Sequence, residues 1–367
     1  MNKRQRHLKR HIEQGRDVLP DDDAERPPSI WRRAIALIVA MLFSVIGMSQ
    51  DWSPMVSGTS EDLNFIENGS FSDCWVVGDG GFVATSADCT TFSPVNVSAG
   101  SADLISLKRS TSVNIWVAGE MGVVRRQLGA SWVVRDIPGA GATGERFFLF
   151  SRSSDYMMAV GDQGSVFRNL TGTAGGWEPR TSAGVPLYGG YGFVAATSHV
   201  VGAGGLILET PDGGLTWVQR PSGTTADLFA FVPGPFGSQL IVGDQGTILK
   251  STDGGLTWES KPSNTSVALR ALSTSGQNAN YMLAVGDGGV VLRSIDGGES
   301  WCFLHATTSN LSGVEMVTNT VALVVGENGL ILRTENGGGD CQTAPLTLLF
   351  ADGFETGDTS RWSASTP

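Results

Sequence analysis

Apolar residues along most of this chain fall in short runs, each cut by a polar turn bracketed with glycine. The stretch "IVGDQGTILKSTDGGLTW" (241–258) is one example, and closely similar text stands at 200–217 ("VVGAGGLILETPDGGLTW") and 284–301 ("AVGDGGVVLRSIDGGESW"). Nothing in this unit has apolar residues at helical spacing, so helical repeats are a poor fit. "TIL", "VVL" and "LIL" are apolar at successive positions, which predicts a strand covered on both faces. Asp-Gly and glycine-flanked turns supply the positive φ angles of tight hairpins. The unit therefore reads as strands joined by hairpins.

The glycines that open the first turn are Gly78, Gly119, Gly161, Gly202, Gly243, Gly286 and Gly326, spaced 41, 42, 41, 41, 43 and 40 residues apart. Such a period predicts an all-β fold, a seven-bladed β-propeller of four-stranded antiparallel blades. The outer-strand segments "WVQRPSGTTADL" (217–228) and "WESKPSNTSVAL" (258–269) have a counterpart of equal length ahead of the first repeat, "WSPMVSGTSEDL" (52–63). The last unit stops at Cys341, where its outer strand should start. The segment 52–63 is expected to complete that blade, closing a ring with no open sheet edge. A single sealed ring also predicts a monomer.

Residues 1–33 form a charged leader with nine Lys/Arg and six Asp/Glu, and "AIALIVAMLFSVIGM" (34–48) is an apolar run of 15. Residues 34–50 read as a signal-peptide core or an uncleaved anchor, and both predict export of the remainder, to the periplasm, the cell surface or outside the cell. Membrane contact is expected only through 34–48, if that run is retained. From residue 51 onward 16 Lys/Arg face 30 Asp/Glu, a net charge of −14, which argues against nucleic acid as a partner. Cys74, Cys89, Cys302 and Cys341 all lie in the exported part. An even number permits two disulfides, and Cys74 with Cys89 and Cys302 with Cys341 is the most local of three pairings; metal ligation or free buried thiols are the other readings. No cofactor or metal motif is present.

The turns "TPDGGLTW", "STDGGLTW" and "SIDGGESW" carry Asp212, Trp217, Asp253, Trp258, Asp296 and Trp301 and resemble the Asp-box of bacterial-neuraminidase-repeat propellers. Here the aspartate should bind backbone N–H groups in its own turn, with tryptophan packing across the hairpin. "SADCTTF" (86–92) and "TENGGGDC" (334–341) are degraded copies, and the second and third units keep only Trp132 and Trp177. Together with "VGDxG" and "ILRS", the unit resembles the propeller family of photosystem II stability and assembly factors, over roughly residues 52–345. That resemblance implies a non-catalytic exported scaffold whose partners are proteins, membrane-protein subunits among them, bound through an arginine-rich surface. Arg126, Arg168, Lys250, Arg293 and Arg333 share one repeat position, interrupted by Thr85 and Glu209. They are candidate partner-binding residues, or else they pair with nearby turn carboxylates. Asp79, Glu120, Asp162, Asp244, Asp287 and Glu327 are expected to ring one face, as turn residues or, less simply, as cation ligands.

Asp-boxes also occur in sialidases and other glycoside hydrolases. The arginine signature of a sialidase is missing, and Tyr156, Tyr188, Tyr191 and Tyr281 lie in apolar or glycine-rich strand text. No G-x-S-x-G elbow exists, and the exported part has only His199 and His305. A carboxylate pair remains available, so glycan binding or hydrolysis is the alternative to a scaffold; a compact group of buried carboxylates in the central cleft is what would favour it. The longer loop "RDIPGAGATGER" (135–146) stands out as the one insertion. Residues 346–367 form a tail whose "DGFETGDTSRWS" resembles endings found on exported bacterial proteins. The domain reading is thus leader 1–33, export segment 34–50, propeller 51–345 and tail 346–367.

Overall fold

The computed structural model describes residues 51–68, 73–111, 114–153, 156–173, 175–192 and 197–341. The expected leader, export segment and tail lie outside the described residues. Seven four-stranded antiparallel sheets form the body, six of them running from an inner to an outer strand in chain order. Blade 1, for example, comprises Leu63–Asn68, Cys74–Gly78, Val83–Ser86 and Ser93–Pro94. Blade 7 departs from chain order: its inner three strands are Leu311–Met316, Ala322–Gly326 and Leu330–Thr334, and its outer strand is Ser53–Met55. The register is Ser53 opposite Arg333, Pro54 opposite Leu332 and Met55 opposite Ile331. The predicted closure is borne out.

The second strand of each blade is buried, along its whole length in cases such as Cys74–Gly78 and Ala322–Gly326, because both of its faces meet other blades. Each junction between neighbouring blades holds one apolar cluster. Between blades 6 and 7 it contains Trp52, Val285, Leu304, Val324 and Leu332; between 7 and 1, Ile66, Val76, Val325 and Ile331. Five further clusters fill the remaining junctions. The hydrophobic effect therefore acts between blades, not within them, and a single blade has no core of its own.

The recurrent turn glycine serves a purpose other than the one its sequence suggests. Gly78, Gly243 and Gly326 are extended, with φ of −160°, −163° and −173°, which any residue can adopt. A Cβ there would fall 2.2, 2.1 and 2.1 Å from the carbonyl oxygens of Asp62, Asp227 and Asn310, which lead into the inner strand. Glycine is needed for close approach. Positive φ belongs to the next two positions but one, such as Gln245 (54°) and Gly246 (67°).

Both predicted disulfides are present, Cys74–Cys89 and Cys302–Cys341. The first staples the second strand of blade 1 to its outer turn. The second ties the outer strand of blade 6 to the end of blade 7, beside the closing ribbon.

Candidate functional site

Seven inner strands surround a central channel with a cavity of 380 Å³. Its geometry follows from a shared register. In six blades a bulge one residue into the inner strand turns an extra side chain toward the mouth of the channel; these side chains are Asn64, Ile105, Tyr188, Phe229, Arg270 and Ser312. Blade 3 has no such shift and contributes Phe148.

The mouth is an aromatic ledge flanked by cations. The Tyr188 and Phe229 rings lie 5.3 Å apart, and the Arg270 guanidinium sits 4.8 Å over the Phe229 ring. Arg270 donates to both Asp287 oxygens at 2.9 and 2.8 Å, and Arg146 donates to Asp162 Oδ2 at 2.8 Å. These bonds raise the pKa of both guanidiniums. Burial, with Asp227 nearby, raises that of the Tyr188 phenol. The ring of acidic residues expected on one face is this rim. Asp79 and Glu327 are likewise taken, by Asn64 at 2.7 Å and Asn310 at 2.6 Å.

Deeper in the channel, one residue per blade pairs with the position three before the turn glycine. These are Glu67, Lys108, Phe150, Tyr191, Val232, Ser273 and Glu315. The layer is lopsided. Charged and hydroxyl groups occupy the arc of blades 6, 7, 1 and 2, while Phe150, Tyr191 and Val232 fill the opposite arc. Lys108 is ion-paired with Glu67, whose other oxygen accepts the Arg109 backbone N–H at 3.0 Å. Ser273 Oγ donates to Glu315 Oε2 at 3.2 Å. Burial and the Glu67 charge outweigh the pull of Lys108 and push the Glu315 carboxyl up to about 8. Burial alone would lower the Lys108 pKa, but Glu67 more than reverses this and the net shift is upward.

None of these floor residues stands out in the repeat motifs. Their signal was nonetheless available: in six of the seven units the layer lies 11 residues before the turn glycine, as Glu67 does before Gly78, and only Ser273, at 13, departs. A cluster of carboxylates in the cleft was the feature expected to favour hydrolysis. Glu67 and Glu315 do come together there, though Glu67 is held by Lys108.

The basic row is not a solvent-facing stripe, and pairing with nearby carboxylates is seen at Arg168 with Glu178, Lys250 with Glu299 and Arg333 with Glu335. Arg126, Arg168 and Lys250 are buried, and Arg293 and Arg333 are partly so. Four of the five reach a backbone carbonyl in the outer turn of the next blade: Arg126 to Gly172 at 2.8 Å, Arg168 to Gly213 at 2.9 Å, Lys250 to Gly297 at 2.7 Å and Arg293 to Gly337 at 2.9 Å. Arg333 pairs with Glu335. The row joins the blades together.

The Asp-boxes behave as folding devices. Asp253 Oδ1 accepts the Thr257 N–H at 2.9 Å and Ser251 Oγ at 2.8 Å, and Trp258 Nε1 donates to the Gly255 carbonyl at 3.1 Å. Asp212 and Asp296 repeat the pattern through Thr216 and Ser300. Trp301 repeats that indole bond, to Gly298, while Trp217 packs in the junction between blades 3 and 4. The copy at 86–92 keeps the geometry despite its altered sequence. Asp88 accepts the Thr90 N–H, disulfide-bonded Cys89 takes the positive φ (57°), and Phe92 fills the tryptophan place. In the 135–146 insertion, Glu145 is buried and accepts the N–H groups of Gln163 and Ser165, which makes that loop structural. A shallow groove along Gln219–Thr225 holds one cation, Arg220, which is tied to Glu209 at 2.7 Å.

With this geometry in hand, the chain can be set beside known proteins. Residues 230–344 match the family model described as photosynthesis system II assembly factor YCF48. A solved YCF48 bound to D1 peptide superposes with a TM-score of 0.63 at 17% identity, covering 78% of this chain and 97% of that one. YCF48 from Cyanidioschyzon merolae gives 0.63 at 16% identity, covering 77% and 98%. The GH74 enzyme of Niastella koreensis gives 0.63 at 13%, with 80% of this chain covering 55% of that chain. No curated protein is a match by sequence. The resemblance to photosystem II assembly-factor propellers is thus borne out, by sequence over 230–344 and by fold over the whole ring.

Proposed function

We propose that this protein is an exported, non-catalytic scaffold that holds an extended segment of a partner protein at the mouth of its central channel. The observation that carries this reading is the ledge of Tyr188, Phe229 and Arg270. It offers stacking area and a fixed guanidinium at the end of the cavity where six bulges turn side chains toward the opening. A structural relative was solved bound to a peptide, which supports a protein segment as the kind of partner. The partner class is a membrane-protein subunit, and the compartment lies beyond the cytoplasmic membrane, consistent with two disulfides and the apolar run 34–48. The test is chemical crosslinking of the full chain in intact cell envelopes, comparing wild type with Phe229→Ala and Arg270→Glu. Loss of the same crosslinked protein from both variants supports the reading; equal capture by all three sinks it.

A second reading is glycan binding or hydrolysis, favoured by the Glu67 and Glu315 pair and by likeness to a propeller enzyme. Release of reducing sugar from envelope polysaccharides, abolished by Glu315→Gln, would establish it. No release by the wild type would remove hydrolysis.

A further inference from the structure

The floor of the channel holds two carboxyl groups and one ammonium. Glu67 and Lys108 satisfy each other, and the Glu67 carboxylate also accepts the Arg109 N–H. Glu315, on the far side of Glu67, has a serine hydroxyl from Ser273 and a backbone N–H from Asn68 but no cation of its own. The Arg109 guanidinium, next in the chain to Lys108, pairs with Asp73 at 3.0 Å, and that of Arg270 with Asp287 at 2.8 Å. One ammonium serves two carboxylates in this half-buried layer, which is one positive charge short whenever both acids ionise.

A second feature of the layer is independent of these charges. Across the cavity from Glu315 the wall turns apolar, with Tyr191 stacked on Phe231 at 6.2 Å and Val232 beside them. Between mouth and floor, small residues let neighbouring blades approach closely. Gly189, Ala230, Ala271 and Gly313 occupy the layer between mouth and floor in blades 4 to 7. A side chain reaching the floor from the aromatic ledge meets a carboxyl on one side and the Tyr191 ring and Val232 on the other.

We infer that the channel floor is a receptor for an amphiphilic cation, the lysine or arginine side chain of the segment held at the mouth, with Glu315 as its counter-ion and Tyr191 and Val232 against its alkyl stem. This rests on the peptide-holding function proposed above and adds what the site selects. Entry of the cation supplies the missing charge. Glu315, held neutral in the empty site, gives up its proton to solvent as the ion pair forms, so binding below about pH 8 is accompanied by proton release. The other titratable groups of the layer are Glu67 and Lys108, which form a pair, and the Tyr191 phenol, which faces Lys108. An anionic or neutral apolar side chain finds no such exchange.

The experiment uses the full chain and two synthetic pentapeptides, Gly-Gly-Lys-Gly-Gly and Gly-Gly-norleucine-Gly-Gly, both blocked at their ends. Each is titrated calorimetrically at pH 7 in two buffers of different ionisation enthalpy. The lysine peptide should bind at least about tenfold more tightly than the norleucine peptide, with a buffer-dependent heat that reports release of a proton. Glu315→Gln should bring the two peptides level and abolish the buffer dependence. Thermal melting of the variant checks its fold, and Val232→Asp provides a second variant, one that should tighten lysine binding without touching Glu315. Equal binding of both peptides to the wild type overturns the inference while leaving peptide holding intact. Retention of lysine preference in Glu315→Gln overturns it as well. Failure of the lysine peptide to bind also overturns it, and the envelope crosslinking result then stands by itself.

Discussion

The Asn328 backbone N–H donates to Asp62 Oδ1 at 2.8 Å, joining positions 266 residues apart. The same bond recurs between sequential blades, from Gly80 N–H to Asp103 Oδ1 at 2.9 Å and from Gly204 N–H to Asp227 Oδ1 at 2.8 Å. The junction between the last blade and the first is therefore built like the others. Ser312 Oγ also crosses it, donating to the Leu63 carbonyl at 2.5 Å. A ring closed in this way holds its channel rigid, and the mouth residues keep fixed positions.

Closure depends on a very short ribbon. Ser53–Met55 has only three residues, but Trp52 beside it is 5% exposed and lies in the cluster with Leu304 and Leu332. Trp52→Ala is expected to cost about 3–5 kcal/mol, seen as a lower midpoint in denaturant unfolding, because it opens a cavity at the joint. A midpoint unchanged from wild type would mean that the ribbon does not hold the ring.

Between blades 2 and 3, Arg126 donates to the Gly172 carbonyl and, at 2.9 Å, to Asn114 Oδ1, with its guanidinium 4.8 Å from the Trp116 ring. Arg126→Met keeps the stem and removes the donors. It should lower unfolding free energy by about 2 kcal/mol, since buried carbonyls lose a charged partner. Binding at the channel mouth should be unaffected, whereas a true partner-binding arginine would reverse that pattern.

The basic row shows where sequence reasoning reached its limit. A recurrent Arg or Lys is equally consistent with a solvated stripe and with a donor to a carbonyl. What decides between them is the position of the next blade's turn, 45 residues on from Arg168 and 47 from Lys250. The closing ribbon, by contrast, was legible because 52–63 copies 217–228 in length and in its Trp and Leu ends. Box chemistry was legible at Asp212, Asp253 and Asp296, yet Asp88 was under-read, since Cys89 stands where glycine was expected. The channel floor was overlooked because Glu67, Lys108 and Glu315 share a position but no chemistry. Only pairing register brings them into one layer.

The box aspartates should titrate abnormally. Hydrogen bonds from Thr90, Thr216 and Thr257 hold the Asp88, Asp212 and Asp253 carboxyls down at about 2, from an ordinary 3.8. Because the folded value is depressed, their contribution to stability is complete above pH 3.8 and is lost as pH falls through 2. Carboxyl-carbon NMR titration reads this directly. Midpoints near 3.8 would show the boxes open in solution.

His199 predicts a loss of stability in milder acid. It is fully buried, stacked 5.3 Å from Phe231, with Nε2 3.9 Å from Glu209, and Arg220 nearby. A Cβ on Gly255 of the next blade would lie 2.6 Å from that nitrogen. Burial lowers its pKa below 6.5, and the opposing pull of Glu209 does not restore it. The unfolded chain then binds a proton that the folded one refuses, so stability is complete above 6.5 and falls as the pH drops below it. His199→Gln should flatten the curve between pH 6.5 and 5. A histidine protonated in the fold would give the opposite slope.

The central claim, that a partner segment sits at the channel mouth, is tested most directly by photocrosslinking from single positions in intact envelopes. Benzoylphenylalanine is placed at Phe229 on the mouth, or at Leu256, 51% exposed in the box turn at the other end of blade 5. Crosslinks to one defined protein from position 229, absent from position 256, are the predicted result. Capture of that protein from position 256 and not from 229 would contradict the account.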